Sequence, residues 1–141
     1  MKQIVIFCLF LTCQLLTAQD RSVNLRNYSP HQVLQAILEV ESFDGKYTYN
    51  RHEPLAVGPL QQFPAYVRDV NRILGYPAFK LSDRKNKDKA IMMFWLYQQH
   101  YNPSLDPEKM IRIHCGGPDG WKEPCTLDYL ELVKKALKDN K

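Results

Sequence analysis

Apolar residues recur along this chain with the spacing of helices rather than strands. Val33, Leu34, Ile37 and Leu38 form a stripe along one helical face. Ser29-Pro30-His31-Gln32 precedes it and supplies an N-cap, a proline suited to the first helical position and a glutamine to complete a capping box. Carried on from Leu34 and Leu38, the stripe reaches Glu41, whereas Glu39 falls among solvent-facing neighbours. Residues 43–53 are polar, contain glycine and are rich in tyrosine, which predicts a loop with a small hairpin around Tyr47 to Tyr49.

Four further stripes lie beyond it. Tyr66, Val67, Val70, Ile73 and Leu74 predict a helix that starts at Pro64 and ends at Gly75. Ala90, Met93, Phe94, Tyr97 and Tyr101 predict a longer one, capped by Ser82 or Asp83 and stopped at Asn102-Pro103. Met110, Ile111 and Ile113 predict a fourth, opened by Asp106-Pro107 and closed by Gly116-Gly117-Pro118. Leu130, Val133 and Leu137 predict a fifth, capped by Thr126, whose lysine-rich end suits the negative helix terminus. Residues 19–28 read as an irregular lead-in. The expected fold class is therefore mainly α: a single domain of about five helices with at most a small β-hairpin.

The first residues change the compartment. Met1-Lys2 is a short positive start, Ile4 to Leu16 is almost wholly apolar, and Leu16-Thr17-Ala18 offers small residues before a cut. This is the pattern of a secretory signal peptide, too short to span a bilayer comfortably. Residues 1–18 are expected to be removed on export to the periplasm or the extracellular space, leaving 19–141 as the domain. No second apolar run of spanning length comes after it, so no stable membrane span is expected.

The chain carries 19 Lys+Arg against 15 Asp+Glu, a mild basic excess that suits an anionic polymer and equally an ordinary solvated surface. Aromatic-basic RNA motifs and zinc-finger spacing are both missing, so nucleic acid is not the expected partner and no metal or other cofactor is implied. Loss of the leader removes Cys8 and Cys13. Cys115 and Cys125 remain, an even pair in an exported protein, and a disulfide is the economical reading. The competing reading is a reactive thiol at Cys115, beside His114.

Glu41 is the candidate for chemistry. Burial against an apolar stripe and the negative end of a helix each disfavour the charged form of a carboxyl, the condition that a general acid needs. The alternative is a glutamate that ends a helix with its head in water. The segments downstream decide between them: Glu41-Ser42, then Tyr49-Asn50, then Ala56-Val57-Gly58-Pro59-Leu60-Gln61, and later Ile111-Arg112-Ile113-His114-Cys115-Gly116-Gly117-Pro118. In order and spacing these segments resemble lytic transglycosylases and goose-type lysozymes, particularly the phage-type soluble enzymes. That family carries a Glu-Ser pair at a helix end, a Gly-Leu-Met-Gln-like turn and an aromatic-Asn-containing Gly-Pro segment.

The resemblance covers about Ser29 to Leu137. It implies a lysozyme-like domain acting as a monomer on the glycan strands of peptidoglycan. Glu41 would first give and then take a proton, and a hydroxyl of the substrate itself would close an anhydro ring. It further implies substrate contacts from Ser42, Asn50, Gly58, Gln61, Tyr97 and His114, with no metal. One departure stands out, since His114-Cys115 occupies the place of the family's aromatic and asparagine. A hydrolytic lysozyme, a non-catalytic peptidoglycan-binding relative and a small helical interaction protein remain alternatives on sequence alone.

Overall fold

Ser29 opens the first helix as its sequence predicts. Its backbone N–H donates to the Gln32 side chain at 2.8 Å, and its hydroxyl accepts the Gln32 N–H at 3.3 Å. The structure, a computed structural model, describes residues 23–140. The leader expected at 1–18 lies outside the described residues. Among the described residues five α-helices succeed one another in chain order: α1 Pro30–Ser42, α2 Pro64–Leu74, α3 Lys87–Tyr101, α4 Pro107–Gly116 and α5 Leu127–Asp139. A short 3-10 turn at Leu25–Asn27 precedes them, and others at Leu81–Lys85, Gly120–Lys122 and Pro124–Thr126 lie between them. The fold is mainly α and single-domain. The hairpin reduces to isolated bridges of Val57 with Tyr49 and Gln62. No helix among the described residues is long and apolar enough to cross a membrane.

Two helix starts differ from the sequence reading. Ser82 and Asp83 do not cap α3. They sit in the Leu81–Lys85 turn, and Asn86 caps instead, its side chain accepting the Lys89 N–H at 3.0 Å. Thr126 stands at the N-cap of α5 but makes no capping bond. Its hydroxyl faces the carbonyls of Gly120 and Glu123, both at 2.8 Å, and accepts Arg112 Nε at 2.9 Å. Asp106 does cap α4, through Lys109 N–H at 2.9 Å.

The core has two parts. α1 and α5 bury Val33, Ile37, Val133 and Leu137 together with Ala90 and Phe94 of α3 and Met110 and Ile111 of α4. A smaller cluster joins Val67 and Val70 of α2 to Met93, Tyr97 and Ile113. α3 and α4 thus serve both clusters with different residues.

The chain leaves α1 through an unusual corner. Phe43 and Asp44 both adopt the left-handed conformation, at φ 50° and 55°. Phe43 N–H donates to Glu39 O at 2.9 Å and Asp44 N–H to Leu38 O at 3.1 Å, the pattern that normally asks for glycine. Each non-glycine residue held there costs about 1–2 kcal/mol. Ser42 secures the corner. It is 1% exposed, its hydroxyl donates to Pro59 O at 2.6 Å, and it accepts Gly45 N–H at 2.8 Å. The 43–59 loop is thereby held against the end of α1.

Candidate functional site

Glu41 lies in the last turn of α1 with its side chain 18% exposed, in the wall of a cavity of about 350 Å³. Two groups converge on its Oε1. The Tyr129 hydroxyl, from the first turn of α5, donates at 2.5 Å. His114 Nε2, from the last turn of α4, stands 3.3 Å away, at ion-pair distance once the imidazole is protonated. Oε2 has no hydrogen bond to the described residues. Burial, and then the adjacent Glu41 charge, pushes the Tyr129 phenol well above its ordinary range, so it remains a neutral donor. The carboxyl is held through Oε1.

The opposite wall is the 50–63 segment. Its turn at 58–61 closes with Gln61 N–H donating to Gly58 O at 3.1 Å, and Val57 and Gln62 exchange backbone bonds at 3.3 and 3.2 Å across its base. Gly58 is required there. Its φ is +84°, and a Cβ would fall 1.8 Å from Arg84 O. Arg84 reaches beneath the turn, donating Nη1 to Leu55 O and Gln62 O, both at 2.8 Å. It holds the segment in place from behind.

Of the residues expected at the site, Glu41, Asn50, Gln61 and His114 line this cavity. Asn50 uses its side-chain oxygen to accept His52 N–H at 3.0 Å, which shapes the loop. Tyr97 is not in this wall. It stacks on Tyr66 at 4.2 Å and lines a neighbouring cavity. Ser42 is buried away from the cavity and is a fastening residue, not a substrate contact. Gly58 is buried too and acts through the turn that it permits. Glu39 opens onto a separate groove between α1 and α5. Among the loop carboxylates, Glu53 lines the cavity, whereas Asp44 turns away to Lys87 at 2.7 Å.

The expected bridge between Cys115 and Cys125 is not formed, and both are free, exposed thiols. The segments that carry them are tied by other groups, Arg112 donating to Thr126 Oγ1 at 2.9 Å and to Glu123 O at 3.1 Å. Cys115 lines the cavity, and partial enclosure of its sulfur, then the nearby Glu41 charge, pushes the thiol above its ordinary range. A raised thiol is a poor nucleophile, which counts against the reactive-thiol reading.

The sequence reading of the site misses Tyr129, Gln62, Tyr66 and Phe63 in this wall. The sequence pattern places Tyr66 only on the α2 apolar stripe. Its phenol is raised well above its ordinary range, chiefly by burial. Gln62 is 2% exposed, and its Nε2 donates to Ala90 O at 3.0 Å, which points its oxygen the other way. Gln61 Nε2 is fixed likewise on Gly58 O at 2.9 Å.

Four side-chain polar atoms among the described residues are buried with no hydrogen-bond partner: Gln61 Oε1, Gln62 Oε1, Tyr66 Oη and His114 Nδ1. All four belong to residues that line the Glu41 cavity. Unpaired buried polar groups are costly in a folded protein, and four of them around one cavity call for a partner, water or ligand. No Lys or Arg lines the cavity, while Glu41 and Glu53 do. Such a wall suits a neutral ligand rich in hydroxyl and amide groups and disfavours phosphates. No family model matches the chain, and no curated protein or solved structure matches it.

Proposed function

We propose that this protein is an exported peptidoglycan lytic transglycosylase in which Glu41 is the single acid–base group. One observation carries the reading: a carboxyl held through one oxygen by Tyr129 and approached by His114, in a cavity without Lys or Arg whose unpaired polar atoms ask for hydroxyl and amide partners. The motif order around Glu41, Gln61 and Gly116-Gly117-Pro118 points the same way.

In this mechanism Glu41 Oε2 gives its proton to the glycosidic oxygen as the bond from that oxygen to the anomeric carbon breaks. The departing sugar leaves as an alcohol, and positive charge develops on the remaining ring. Glu41, now a carboxylate, is stabilised by the Tyr129 hydroxyl and by the imidazole of His114. A hydroxyl of the same ring then attacks the anomeric carbon and returns its proton to Glu41. The products are an anhydro sugar end and a free hydroxyl, and no water is consumed.

Glu53 favours a second reading. It puts another carboxylate in the same cavity, the arrangement that hydrolytic glycosidases use to position water or to act as nucleophile. Digestion of purified peptidoglycan and mass analysis of the products separate the two. Anhydro ends support the transglycosylase, reducing ends support a hydrolase, and no products from a folded protein refute both. Glu41→Gln should lower activity at least about a hundredfold, the usual scale of a general-acid contribution. Glu39→Gln serves as the off-site comparison, and equal losses in the two variants would contradict the assignment.

A further inference from the structure

Phe63 obeys neither rule that its position sets. It is the N-cap of α2, where Ser, Thr, Asp or Asn would satisfy a free backbone N–H, and it makes no side-chain cap. It is a large apolar residue, yet it is 42% exposed and belongs to neither hydrophobic cluster. The fold gains neither a cap nor core burial from this ring. Local rules broken without structural return mark positions where function decides the residue.

Its place supplies the function. A second cavity of about 410 Å³ adjoins the Glu41 cavity and adds Asp69, Tyr97, Gly117 and Pro118 to the wall. Phe63, Tyr66, His114 and Cys115 line both cavities, so a ligand passing from one to the other crosses them. Tyr66 and His114 each carry one of the unpaired buried polar atoms, while Phe63 offers an aromatic surface at the rim. Pro64 fixes the first helical position beside Phe63, and Tyr66 N–H donates to Phe63 O at 3.0 Å, so its backbone is held. The second cavity is also lined without Lys or Arg. A ring with an apolar C–H face and a hydroxyl rim fits an aromatic surface flanked by unpaired polar atoms, and that is the shape of a pyranose.

We propose that Phe63 is a stacking platform on which one pyranose ring of a glycan lies where the strand passes from the Glu41 cavity to the second cavity. The inference rests on the glycan reading of the Glu41 site and deepens it. Phe63 favours strands long enough to span both cavities, because such a strand must lay a sugar over the shared ring, whereas a short fragment seated deeper in either cavity does not have to stack on it. It is a specificity-determining residue and takes no part in proton transfer.

The test uses the full mature chain carrying Glu41→Gln, so that binding is measured without turnover. β-1,4-linked N-acetylglucosamine disaccharide and hexasaccharide are titrated against this parent and against the same protein with Phe63→Ala or Phe63→Trp. The hexasaccharide should bind about tenfold more weakly to the alanine variant, the scale of a lost aromatic contact with its buried area, and the tryptophan variant should restore it. The disaccharide should bind all three alike. Hexasaccharide affinity unchanged by Phe63→Ala, with the parent binding normally, overturns the platform and leaves the glycan reading intact. Equal weakening of both sugars, with the tryptophan variant no better, shows Phe63 to be merely structural and also overturns it. A parent that binds neither sugar refutes the glycan reading, and the platform falls with it.

Discussion

Tyr129→Phe tests the centre of the site with a single atom removed. The Tyr129 ring packs against the larger core cluster, and phenylalanine keeps that packing. The change removes the hydroxyl that donates to Glu41 Oε1 at 2.5 Å, the one hydrogen bond that the carboxyl makes to the described residues. A hydrogen bond to a charged group is worth about 1.5–3 kcal/mol. In the proposed mechanism Glu41 becomes a carboxylate as the proton leaves, so the bond strengthens on the way to the transition state. At about 1.36 kcal/mol per tenfold, the loss should slow turnover by about 10- to 150-fold. Stability should change by less than about 1.5 kcal/mol, because Glu41 is 18% exposed and water can take the place of the phenol. The assay is the initial rate of release of soluble fragments from purified peptidoglycan, with unfolding monitored by circular dichroism. Tyr76→Phe, at an exposed tyrosine, is the control. Wild-type turnover in folded Tyr129→Phe would refute the reasoning, and so would a loss matched by the control.

The geometry around this centre sets two other outcomes. Gly58→Ala places a Cβ within 1.8 Å of Arg84 O at a φ of +84°; strain and overlap together should cost about 2–5 kcal/mol, read as a lowered melting temperature with loss of activity. A variant as stable as the parent would show that the turn is not pinned on Arg84. Alkylation of the unreduced, exported protein should add two groups, one each at Cys115 and Cys125, as expected of two exposed free thiols. Mass analysis showing a product that alkylates only after reduction would mean that the two are bridged.

The helices were legible because their signals are local. The Ser29-Pro30-Gln32 start, the Asp106-Pro107 start and the Gly75 and Gly117 ends lie within one turn of the residues that they satisfy. The misread caps share one cause. Thr126 has the right side chain for a cap, but Arg112 and the carbonyls of Gly120 and Glu123 compete for its hydroxyl and win. Ser82 and Asp83 were plausible caps until Asn86, nearer the helix, took the role. A tertiary or neighbouring partner of equal chemistry is invisible to a pattern that counts only position.

The site divides along the same line. Glu41 and Gln61 could be found because helix periodicity and a short motif place them. Tyr129 could not, since its hydrogen bond joins residues 88 positions apart and α5 reads as an ordinary amphipathic helix without it. The same distance explains the reading of Ser42. A serine after the acid looks like a substrate contact in one dimension, but its hydroxyl reaches Pro59, 17 positions on, and sets the loop across from Glu41. Ser42, Gly58 and Arg84 therefore act in one chain of support: the first fastens the loop to α1, the second lets it turn, and the third holds it from beneath. None of the three lines the Glu41 cavity, yet together they hold the segment that carries Gln61 and Gln62 into its wall. Rigid support of this kind is what a site needs if its ligand is to meet groups already held in place.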